Sequence, residues 1–75
     1  MRKYTIILEP DEESGGYMVT VPALPGCITQ GETISECIER AREAIAGYAK
    51  SLEAAGEPVP GETERPQAIT INVAA

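Results

Sequence analysis

The run from Gly16 to Pro60, GYMVTVPALPGCITQGETISECIERAREAIAGYAKSLEAAGEPVP, constrains the fold more than any other part of the chain. Tyr17, Val19 and Val21 alternate with Met18 and Thr20, the period-two signature of a strand. Pro22 ends that pairing, because proline carries no backbone donor. Pro25 and Gly26 suit the middle of a tight turn, with proline presetting φ and glycine accepting a positive one. Cys27 to Gln30 reads as a brief third strand, and Gly31 as a strand-to-helix turn at positive φ.

A helix follows. Thr33 is placed as its N-cap and Glu36, three residues on, completes a capping box. Ile34, Cys37, Ile38, Ala41, Ala44, Ile45, Tyr48 and Leu52 recur at three- and four-residue steps and form one apolar stripe. Glu36 precedes Arg40 by four, the favourable order for an exposed pair. Gly56 is positioned as a C-terminal cap, and Pro58 forbids resumption of the helix.

The flanks add two strands. From Lys3 to Glu9, Tyr4, Ile6 and Leu8 share one face. Pro10 to Gly16 is a polar turn with paired glycines, suited to a hairpin. Pro58 to Pro66 is a loop rich in Pro, Gly and Glu. Ala68 to Val73 reads as a last strand with Ile69, Ile71 and Val73 on one face. The expected order is β-β-β-α-β, an α+β chain with a single sheet and one helix packed on a face. Residues 1–75 make a single domain, with no separate DNA-binding domain expected.

Composition narrows the possibilities. Among 75 residues the only aromatics are Tyr4, Tyr17 and Tyr48, so the core is aliphatic. A chain of this size buries a small fraction of its surface, and a homo-oligomer, most simply a dimer, is the expected source of further burial. Cys27 and Cys37 read as two small buried thiols. Met1-Arg2-Lys3 leads straight into the first strand with no secretory leader, which favours reduced thiols and a cytoplasmic location. Twelve acidic against six basic side chains give a net charge of −6. That sign counts against direct nucleic-acid binding, where Lys and Arg neutralise phosphates, and suits steering toward a basic partner. No run approaches the ~18 apolar residues of a membrane span.

Catalytic chemistry finds no support. The chain has no histidine, so no serine or cysteine has an imidazole to activate it, and a zinc site lacks ligands. Metal-dependent nucleases need converging carboxylates, and the first strand offers only Glu9, at its end. Asp11, Glu12 and Glu13 lie on a turn, and Glu39 and Glu43 on the wet face of the helix. No enzyme activity and no cofactor are expected. The remaining candidates are surfaces for another protein. Pro22 and Pro25 bracket Leu24 on a stiff loop ending at Gly26. Leu24 serves either to close the core or as an apolar anchor that loses little entropy on binding. Gly47 sits on the outward helix face near Ser51, where small residues leave a shallow seat for another chain.

The order GY-x-V-x-VP-x-LPGC-x-TQG, followed by Thr33 and the E-x-x-x-x-A-x-E-A-I helix, resembles the HicB-like antitoxin family. The likeness runs from about Tyr4 to Val73 and is densest between Gly16 and Pro60. The resemblance implies a truncated RNase H-like fold. It also implies a partner, a small basic mRNA interferase of the HicA type, which the antitoxin neutralises by covering its active surface. Many members of the family continue past the last strand into a DNA-binding module, and the sequence ends at Ala75, so promoter binding is not expected. The alternative is an orphan HicB-like scaffold or small-ligand-binding module with no cognate toxin.

Overall fold

The computed structural model describes residues 2–74. Three antiparallel strands are followed by one helix: β1 (Ile7–Pro10), β2 (Tyr17–Thr20), β3 (Ile28–Gly31) and α1 (Ile34–Ala54). The strands form a meander in the order β1-β2-β3. Ile7 pairs with Thr20, and Pro10 with Tyr17. Tyr17 in turn pairs with Gly31, and Thr20 with Ile28. The α+β class and the single sheet with a helix on one face are as the sequence indicates.

Two turns set the register. In the β1–β2 connection the Asp11 carboxylate accepts from the Glu13 and Ser14 amides at 3.1 and 3.3 Å and from the Ser14 hydroxyl at 2.7 Å. Gly15 and Gly16, at φ 78° and 68°, supply the positive angles that close it. Between β2 and β3, the Leu24 amide donates to the Val21 carbonyl and the Cys27 amide to the Leu24 carbonyl, both at 2.9 Å. These are consecutive β-turns with Pro22 and Pro25 at their second positions, and Gly26 takes φ 80°. The turn expected at Pro25-Gly26 is present.

Gly31 differs from expectation. Its φ is not positive. Its constraint is proximity: an added Cβ would sit 2.8 Å from the Cys37 Sγ and 2.9 Å from the Cys37 backbone nitrogen. Glycine is needed there so that β3 can approach the first turn of the helix.

The helix has defined ends. The Thr33 hydroxyl accepts from the Glu36 amide at 3.1 Å. The capping box is only half made, because the Glu36 carboxylate turns to Arg40 at 3.5 Å instead of reaching back. At the other end Gly56 takes φ 73°. The Glu57 amide donates to the Leu52 carbonyl at 2.9 Å and the Gly56 amide to the Glu53 carbonyl at 3.0 Å, the Schellman arrangement.

The core lies between helix and sheet in two adjoining clusters. Val19, Cys37 and Ala41 form one, with Ile6, Leu8 and Tyr17 packed against them. Val21, Leu24 and Cys27 form the other, under Tyr4, Ala44, Ile45 and Tyr48. Both cysteines are buried and unpaired, and each belongs to a different cluster. Burial pushes the Cys27 thiol pKa up, away from the reactive thiolate.

The flanks depart from the sequence reading. The first strand begins at Ile7 rather than Lys3, for a reason visible in the register. Continued backward, the pairing would set Thr5 opposite Pro22, which has no donor to give. Residues 68–73 form no strand either. Ile69, Ile71 and Val73 stand 75%, 72% and 74% exposed, because the segment has no partner within its own chain. Among the described residues the sheet therefore has three strands, not four.

Candidate protein-interaction surfaces

The helix lies chiefly over β3, less over β2, and scarcely over β1. That offset leaves its apolar flank uncovered on the β1 side. Ile34 and Ile38, both expected in the buried stripe, are 57% and 40% exposed. The space between this flank and residues 2–6 is a cleft of about 890 Å³. Tyr4, Ile6, Ile38, Ala41 and Ile45 give it an apolar floor. Four of the chain's six cations, Arg2, Lys3, Arg42 and Arg65, stand around it. The loop leaving the helix crosses one side. The Tyr4 hydroxyl donates to the Pro60 carbonyl at 2.6 Å, Arg2 to the Val59 carbonyl at 3.2 Å, and the Thr5 hydroxyl to the Glu62 carboxylate at 2.8 Å.

The charged side chains around a second hollow are mainly carboxylates, with Arg40 among them. Asp11, Glu32 and Glu36 border this smaller hollow, of about 260 Å³, beside Tyr17, Met18 and Gln30. Glu12 and Glu13 are exposed on the adjoining turn. The outer face of the sheet carries on from this hollow. The registers align Glu9, Met18 and Gln30 in one row and Ile7, Thr20 and Ile28 in the next. Ile7, Met18 and Ile28 are exposed there. Ser14 and Glu13 hydrogen bonds hold the Asp11 carboxyl below the usual carboxylate range, with the Ser14 contribution the larger.

The positions singled out in the sequence fall in two groups. Leu24 is fully buried, so it closes the core and presents no side chain to a partner. It sits beneath Tyr48 and between Val21 and Cys27, the core-closing position of the two roles the sequence allows. Pro22, Pro25 and Gly26 are exposed around it. Gly47 and Ser51 are exposed on the helix, and an added Cβ at Gly47 would meet nothing within 4 Å. The Tyr48 hydroxyl donates to the Pro25 carbonyl at 2.9 Å, which ties the loop to the same stretch of helix. The cleft and the apolar rows of the outer sheet face were not singled out. Their signals were present in the exposed Ile38 and in the β-strand parity of Ile7, Met18 and Ile28, but face assignment needs the registers.

The described residues hold no grouping of acidic or cysteine side chains suited to a metal ion. No helix among them is long and apolar enough to cross a membrane.

Comparison with known proteins agrees with the fold. Residues 4–72 match the family described as HicB_like antitoxin of bacterial toxin-antitoxin system. The UPF0150 protein Ta0767 of Thermoplasma acidophilum is 50% identical over 58 residues, which cover 77% of this chain and 83% of that protein. Antitoxin HicB of Escherichia coli K12 is 44% identical over 43 residues, 57% of this chain but only 30% of its own length. Among solved structures, the N-terminal domain of Burkholderia pseudomallei antitoxin HicB superposes with a TM-score of 0.67 at 39% identity. That match covers 85% of this chain and 72% of the other. A family match over residues 4–72, with the HicB N-terminal domain as a structural neighbour, establishes that the chain belongs to the HicB-like antitoxin family of bacterial toxin–antitoxin systems.

Proposed function

We propose that the chain is the neutralising subunit of a toxin–antitoxin pair and that its partner is a small basic mRNA interferase of the HicA type. The supporting observation is the separation of charge on a member of this family. The acidic residues Asp11, Glu32 and Glu36 adjoin an exposed apolar sheet face, while four of the six cations line the separate, larger cleft. An acidic rim beside apolar side chains is the complement of a cationic RNA-binding surface. The chain acts by occupying that surface and carries out no catalysis of its own. Pro22, Pro25, Gly26, Gly47 and Ser51 extend the contact on the helix side. Binding takes place in the cytoplasm, where the toxin meets mRNA, and the antitoxin is a homo-oligomer, most simply a dimer. The three strands and helix are read as the truncated RNase H-like frame that the family implies.

The second reading is an orphan HicB-like scaffold or small-ligand-binding module without a toxin. One observation favours it: relatives that match over most of their own length, such as the Thermoplasma acidophilum protein, bear a family designation rather than an antitoxin name. Co-expression separates the two. A HicA-type toxin encoded beside this chain should arrest growth when expressed alone, and this chain should lift the arrest and co-purify with it at a fixed ratio. Persistent arrest, with no co-purification, would leave the orphan reading.

A further inference from the structure

We propose that residues 68–73 are a strand that completes the sheet of a second copy of the chain, lying beside β1 and covering the partner's cleft. The proposal is independent of the toxin reading. Three features meet in it.

The first is the segment itself. Ala68-Ile69-Thr70-Ile71-Asn72-Val73 alternates strictly, and its three apolar side chains are among the most exposed in the protein. A strand with one apolar face is stable when that face meets a core and its backbone meets an edge. Here it meets neither. The molecule is correspondingly extended: its Cα radius of gyration is 14.3 Å and its axes span 48, 26 and 20 Å, where a compact 75-residue domain would have a radius of about 11 Å. Six residues of strand reach roughly 20 Å, close to the excess of the long axis over the second.

The second is the vacancy beside β1. β1 is an edge strand, and residues 3–6 continue it without a strand partner. Open edges recruit strands. The Thr5 amide is held by the Glu62 carboxylate, a side chain standing in for a neighbouring carbonyl. Above the same edge, the helix flank carries Ile38 and Ile45 into the cleft, which Val59, Glu62 and Arg65 border without filling it. A fourth strand would supply both the backbone partner and the apolar row.

The third is the path of the chain. The contacts Arg2–Val59, Tyr4–Pro60 and Thr5–Glu62 rise in step, so residues 59–62 run alongside residues 2–5 in the same direction. Val59, Glu62 and Arg65 border its own cleft, and residues 68–73 follow beyond the stretch that lines it. To fold back over it, residues 68–73 would have to reverse within positions 66–67, the first of which is Pro66. A second copy meets the segment without any reversal. Two such exchanges close an isologous pair, because each chain gives one strand and accepts one.

The test uses the full chain alone, without any toxin. Sedimentation equilibrium should give twice the 8.0 kDa monomer mass at micromolar concentration. In a dimer mixed from isotope-labelled and unlabelled copies, filtered NOE spectra should connect the Ile71 methyls of one copy with Tyr4 and Ile38 of the other. Ile71→Asp should raise the dimer dissociation constant at least about tenfold. Thr70→Pro, which removes a backbone donor and leaves every apolar side chain in place, should do the same while the helix signal in circular dichroism persists. A folded monomer would overturn the proposal. So would a dimer whose Ile71 contacts are all within one chain, or a segment that becomes ordered only when a toxin is added.

Discussion

At the scale of single residues, burial decides what each side chain is for. Leu24 is one of the largest fully buried side chains, and its loop is held by two turns and by the Tyr48–Pro25 hydrogen bond. Truncating a buried leucine typically costs 2–5 kcal/mol, from lost transfer energy and the cavity left behind. Leu24→Ala should therefore lower stability by about that much in chemical denaturation, with a partner's dissociation rate changing only through the fold. Unchanged stability would return Leu24 to the role of an exposed anchor. Gly47 is the opposite case. It occupies a helix interior with open space around it, so Gly47→Ala should raise stability by roughly 1 kcal/mol. A loss of stability would mean that something not visible in the single chain packs against that position.

At the scale of elements, local chemistry was legible and non-local pairing was not. Thr33, Gly56 and the Pro25-Gly26 turn do what their residue types dictate, since each is satisfied within a few positions of itself. The helix stripe was read correctly in position but too fully as core. Ile34 and Ile38 have helical spacing, yet the three strands are too few to cover them. Residues 68–73 have strand alternation and no strand, because alternation states a preference while pairing depends on what lies alongside. Gly31 was assigned to the right residue type for the wrong reason: close approach to Cys37 is a tertiary fact. The β1–β2 turn allows a test of its own. Asp11 is held below its ordinary value, near 3.9, by the Ser14 and Glu13 hydrogen bonds. A depressed carboxyl contributes stability that is present above the unfolded value and lost as pH falls through the folded one. The turn should thus stay intact through pH 4 and loosen only below it. Carbonyl chemical shifts of Asp11 with pH should give a midpoint under about 3.9, and a midpoint above it would show that the turn does not hold the carboxylate.

At the scale of the whole molecule, charge and apolar surface are distributed over two distinct hollows. Carboxylates flank one beside the exposed sheet face, and most of the cations flank the larger apolar cleft. A net charge of −6 opposes tight nucleic-acid binding, and the family match directs attention to a protein partner. If the carboxylate-flanked face receives a basic toxin, encounter is steered by opposite charges, and steering weakens as the screening length falls from ~10 Å at 0.1 M salt to ~3 Å at 1 M. Neutralisation by protein binding is the central claim, and association kinetics between this chain and a HicA-type toxin encoded beside it test it most directly. A biosensor series in rising salt should show a complex whose association slows markedly while its dissociation changes little. Association indifferent to salt, or no complex at any salt concentration, would contradict the account.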